Sequence, residues 1–136
     1  MTTKLVYEGG LRCVATHIKS GTIIETDAPV DNHGRGERFS PTDLVAAALA
    51  SCMLTLMGIA GRKHNINIDG TECEVEKIMI ADPMRRIGEL KVNVNFPKTT
   101  DYSDEEKKIL EYAAITCPVY LSLHEMTKKT VSFNWK

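Results

Sequence analysis

Hydrophobic and polar positions alternate in short runs through the first third of the chain. Residues 4–7, 11–17 and 22–26 read as strands, divided by Gly9-Gly10 and Ser20-Gly21, both turn signals. The polar, Gly-rich run APVDNHGRGERFS, residues 28–40, reads as a surface loop of the kind that is often functional or mobile. The pattern then changes period. From Leu44 to Gly61, eighteen residues carry no charge. Ser40 stands as an N-cap, Pro41 suits the first helical position, and Asp43 falls where a capping box wants an acid. Arg62, Lys63 and His64 are cations that suit a helix C-terminus. Two strands follow, 71–80 and 89–96. In the second, Leu90, Val92, Val94 and Phe96 alternate with Glu89, Lys91, Asn93 and Asn95, so one face is expected buried and the other wet. A second helix opens at Ser103 with Asp104, Glu105 and Glu106 in its first turn and runs to about residue 115. Pro118 disfavours a helical conformation at Cys117 and starts a fresh turn over 118–126. A last strand covers 130–135. The order βββ–α–ββ–α–β, without repeats or low-complexity tracts, predicts an α+β fold in one domain, residues 1–136.

The long apolar helix has three readings. Its length suffices for a membrane span, but alanine and glycine dominate it and it lies between amphipathic strands that need a common core, so no membrane association is expected. A helix that is apolar all round is buried all round. One small domain has little mass to surround it, which points to a partner subunit and hence a dimer. In the third reading the helix holds Cys52 as a nucleophile. Burial raises a thiol's pKa, so a reactive Cys52 needs a nearby cation or strong donors.

Net charge changes the picture by exclusion. At −1, the chain has no electrostatic footprint for nucleic acid or anionic lipid. The N-terminal MTTKLVYEGG has no apolar signal core, which makes a reducing cytoplasm the expected location. The four cysteines, Cys13, Cys52, Cys73 and Cys117, contain no C-x-x-C pair. They suit neither a zinc site nor a small disulfide scaffold. His17, His33, His64 and His124 have no ligand spacing, and no metal is expected. The GRG of residues 34–36 lacks the context of a phosphate loop and reads as a flexible turn. Cys13 and Cys73 lie in predicted strands and read as inert. Cys117, at a helix start, is placed where a thiol's pKa falls, or is simply a buried cysteine at a helix break.

The run F-S-P-T-D-L-V-A-A-A-L-A-S-C, followed some 65 residues later by C-P-V at 117–119, resembles the OsmC/Ohr family of thiol peroxidases. The resemblance implies an OsmC-like fold, with antiparallel sheets packed on two long central helices in an intertwined homodimer. It implies active sites at the subunit interface and reduction of organic hydroperoxides. Matched to the motif, Cys52 is the peroxidatic cysteine and Cys117 the resolving cysteine. An external thiol or dithiol is the reductant, and no cofactor is implied. In the best-characterised peroxidases of the family an arginine and a glutamate support the first cysteine. The glutamate's place after the motif proline is taken here by Thr42, and the acid is Asp43, one position later, as in the broader OsmC-like branch. Arg35 and Arg38 are the nearest candidates for the arginine. Asp43 has an alternative role in the capping box. Nine residues of helix put it roughly 13 Å from Cys52 along the axis, so it serves a site across the dimer or through an arginine. Leu49, Met53, Leu56 and Met57 are candidates to line an apolar substrate site, and equally candidates for plain core. The alternative function is a non-catalytic OsmC-like dimer that binds a small lipophilic ligand in its interface cavity.

Overall fold

The computed structural model describes residues 1–135. The chain divides into two compact units, Met1–Val45 and Ala46–Lys136, with the boundary inside the long helix. The first unit is a meander of three antiparallel strands in the order β1–β2–β3: β1 Thr3–Gly9, β2 Arg12–His17 and β3 Ile23–Asp27. The β1–β2 turn needs left-handed backbone at Gly9 and Gly10, and Leu11 follows them into that region.

The loop after β3 is tied to its own unit by backbone hydrogen bonds. A short 3-10 turn occupies Val30–Asn32. Backbone hydrogen bonds run from Ala28 to Leu11 and from Gly34 to Pro29. A Cβ at Gly34 would lie 1.8 Å from the carbonyl oxygen of Ala28, so glycine is there for close approach rather than for freedom. The loop ends at helix α1, Pro41–His64. The capping box forms as the sequence predicts: the Asp43 amide donates to Ser40 Oγ at 3.1 Å, and the Ser40 amide donates to Asp43 Oδ2 at 2.9 Å.

The second unit holds the rest of α1, strands β4 Glu72–Ile80 and β5 Arg86–Asn95, helices α2 Asp104–Ile115 and α3 Pro118–Ser122, and strand β6 Lys128–Asn134. Its sheet has the order β4–β5–β6. The expectation of antiparallel sheets holds for every pair except the last, since β6 runs parallel to β5. Strands that run in one direction need a long crossover, and α2 with α3 supplies it. The β5 alternation is realised: Leu90, Val92, Val94 and Phe96 are buried, and Lys91 and Asn93 are exposed. β5 begins three residues before its expected start, and Gly88 there admits a close neighbour. A Cβ there would meet Ile80 Cγ2 at 2.5 Å. α3 stops at Ser122, short of the expected 126. Leu123 turns extended as its side chain packs on the core, and the Met126 amide donates to His124 Nδ1. Trp135, expected in the last strand, lies beyond β6 and stacks on Phe96 at 3.9 Å.

α1 is long and apolar enough to cross a membrane. Its stripe Leu49, Met53, Met57 is instead sealed in a core with Leu90, Val92, Val94 and Leu110. Burial is not all round, as the sequence suggested. Ala47, Ser51, Thr55 and Ile59 recur at helical spacing and are exposed within this single chain.

Candidate active site: a thiol pair on two helices

Cys52 and Cys117 reach the same place by different local rules. Cys52 is carried by α1, between the buried Leu49 and Met53, and is itself half-buried against the core cluster. Cys117 sits at a break. α2 opens on a complete capping box at Ser103 and Glu106 and ends at Ile115. Pro118 then forces extended backbone on Cys117, with φ −66° and ψ 149°. The same proline is the first residue of α3, which makes Cys117 its N-cap. Its Sγ accepts a hydrogen bond from the Tyr120 amide at 3.4 Å.

The Cys117 side chain is fully buried. Burial is the main cause that raises its pKa, and Cys52, as a neighbouring thiol, raises it further. The amides of Tyr120 and Val119 pull the other way and are outweighed. The expectation that a helix start lowers this pKa therefore fails: desolvation dominates over two backbone donors. Cys117 is a protonated thiol at neutral pH, in interacting range of Cys52.

The other candidates divide by unit. Leu49, Met53 and Met57 are 0% exposed and are core, with partly buried Leu56 packed on the same cluster. They form the apolar backing of α1 behind Cys52. Arg38 belongs to the first unit, where its Nε donates to Glu25 at 2.6 Å. Arg35 lies in the same unit, against Gly10, and its charge helps to lower the pKa of Asp27. The Asp43 carboxylate is engaged by the Ser40 amide. Cys13, on β2 opposite Tyr7 and Thr26, and Cys73, on β4 opposite Val94, are partly buried free thiols. Burial, with the charge of Glu74, raises the Cys73 pKa. Among the described residues, no group of three His, Cys, Asp or Glu is arranged to hold a metal ion.

Sequence reading missed a buried ion pair. Arg12 Nε and Nη2 donate to the two carboxylate oxygens of Asp27, each at 2.8 Å, and the Asp27 side chain is fully buried. The Glu37 amide also donates to Asp27, at 3.2 Å, which ties the 28–40 loop to β3. No local motif announces this pair. Only the β2–β3 register, which sets Arg12 opposite Asp27, brings the residues together.

The chain is an α+β protein with four free thiols, of which Cys52 and Cys117 lie within interacting range of each other. A family model described as OsmC-like protein matches residues 34–132, and the chain belongs to that family. A crystallised protein of Psychrobacter arcticus 273-4, assigned provisionally to the osmotic stress and detoxification response, is 47% identical. It superposes with a TM-score of 0.92 over 98% of this chain and 96% of its own. The organic hydroperoxide resistance protein OsmC of Legionella pneumophila shares the fold at 18% identity and TM-score 0.74, over 98% of this chain and 97% of that one. The organic hydroperoxide resistance protein OhrB of Bacillus subtilis does so at 20% and 0.70, over 98% of each chain. No curated protein sequence matches the chain.

Proposed function

We propose that the protein is a thiol-dependent peroxidase that reduces organic hydroperoxides. The observation that carries this reading is the asymmetry of the pair: a half-buried Cys52 beside a fully buried Cys117. The more accessible sulfur meets the peroxide. Cys52 attacks the distal oxygen of R–O–OH, the alcohol leaves, and Cys52 becomes a sulfenic acid. Cys117, protonated and adjacent, condenses with it; a disulfide forms and water departs. An external dithiol restores both thiols by two exchanges. The apolar backing of Leu49, Met53 and Met57 suits a lipophilic peroxide. The exposed stripe on α1 supports a homodimer in which the second subunit covers Ala47, Ser51, Thr55 and Ile59. Four free thiols suit a reducing cytoplasm.

The test is consumption of cumene hydroperoxide with a dithiol as reductant. Cys52→Ser is expected to abolish turnover. Cys117→Ser is expected to react once and leave a Cys52 sulfenic acid that a dimedone-type probe traps. Cys13→Ser and Cys73→Ser are expected to turn over as the parent does. Absence of both a Cys52–Cys117 bridge in the parent and a trapped sulfenic acid in Cys117→Ser would overturn the reading and favour the ligand-binding alternative.

A further inference from the structure

Cys117 Sγ has two occupations. It neighbours Cys52, and it is also the group that receives the Tyr120 amide and so fastens the first turn of α3. The two compete when a disulfide forms. Bond formation draws two sulfurs from van der Waals contact to about 2 Å, so at least one of them must move. α1 resists: Cys52 is flanked by Leu49 and Met53, both 0% exposed, on a helix of 24 residues. α3 has five residues, and its Leu121 is open to solvent. Its attachments to the core are the side chains of Val119, Tyr120 and Leu123, and the Tyr120 ring rests under Lys129 Nζ at 5.1 Å. The weaker end moves. A second fact gives the movement a use. The Cys117 side chain is fully buried in the reduced protein, so an incoming thiolate has no approach to that sulfur while α3 is fastened.

We propose that α3 is a redox-gated cover over the thiol pair, latched by Cys117 Sγ and the Tyr120 amide in the reduced protein and released when Cys117 bonds to Cys52, which admits the reductant. The inference rests on the reading of Cys52 and Cys117 as a redox pair. In the oxidation, two thiols give up two electrons and two protons; the hydroperoxide takes them and leaves as alcohol and water. In the release, the Tyr120 amide exchanges its sulfur acceptor for water, and the side chains of Val119, Tyr120 and Leu123 keep the helix attached.

Amide hydrogen exchange on the full chain tests it, in the reduced form and after one equivalent of cumene hydroperoxide or of diamide, with the bridge verified by mass. In the disulfide form the Tyr120 amide is expected to exchange at least about fivefold faster, the scale of one lost helix cap, while the amides of Leu49 and Met53 keep their rates. Reduced Cys117→Ala is expected to show the fast Tyr120 exchange without oxidant. Cys117→Ser, whose hydroxyl can cap, is expected to keep the Tyr120 amide protected before and after the oxidant, although its Cys52 still reacts once. If the alanine variant does not fold, the oxidised parent decides alone. A verified disulfide with Tyr120 still protected overturns the gate and leaves the peroxidase reading standing. A bridge formed by diamide but not by hydroperoxide, with Tyr120 released, supports the gate and removes the peroxidase. No bridge under either oxidant overturns both.

Discussion

Asp27 carries its negative charge in a fully buried position because Arg12 meets both of its oxygens. The Arg12 hydrogen bonds lower the Asp27 pKa against the opposing effect of desolvation, and the same partner raises that of Arg12. A carboxylate whose folded pKa is depressed adds stability above its unfolded pKa, about 4. That stability is lost as pH falls through the folded pKa. Asp27→Asn is therefore expected to lower the urea midpoint at pH 7 and to flatten its decline in acid; a parallel acid decline in parent and variant would refute the assignment. A second prediction concerns the cation for Cys52. If Arg35 or Arg38 supplies it, alkylation of Cys52 at pH 7 should slow roughly tenfold in the corresponding alanine variant, the size of effect one nearby charge exerts on an ionisable group. Unchanged rates in both variants would remove the loop from the mechanism. The two capping boxes were readable at this scale because each is written within four residues. The Arg12–Asp27 pair was not, since fifteen residues separate partners that only strand register joins.

The helices and strands of the second unit share one continuous core. Leu110 of α2 is fully buried within it, together with the Leu49–Met53–Met57 stripe of α1 and Leu90 of β5. Leu110→Ala is expected to cost about 2–5 kcal/mol, the range for deleting a large buried aliphatic side chain, measured by chemical denaturation. A loss below 1 kcal/mol would mean that α2 is not pinned there. Ser103→Ala, which removes a cap at the exposed start of the same helix, is expected to cost about 1 kcal/mol. β5 was legible because its alternation has a period of two and one face is sealed. The direction of β6 was not, because a strand's own residues read alike in either sense. The direction is set by the path of α2 and α3, and the helical break at Cys117-Pro118 makes that path.

For the whole molecule, the exposed stripe of α1 is the feature to account for. A stripe of alanine, serine, threonine and isoleucine on a charge-free helix presents a surface that backbone can approach closely. Light scattering is expected to give twice the chain mass at micromolar concentration. Ile59→Glu, which puts a charge on that stripe, is expected to shift the mass toward one chain. A single-chain mass for the parent would count against the dimer and against any site built between subunits.

The parallel pairing of β6 also has a consequence in time. Roughly sixty residues separate the end of α1 from the start of β6. At a synthesis rate of roughly 5–20 residues per second, α1 exists for several seconds before that strand is made. From the completion of β5 at Asn95 until β6 is made, β5 has a bare hydrogen-bonding edge on the side β6 will occupy, and the α1 surface backed by the sheet has an incomplete cover. An unpaired edge beside an apolar helix is a template for association with other nascent chains. The order of manufacture thus makes the newborn polypeptide, rather than the finished fold, the stage at which a holding chaperone has most to protect.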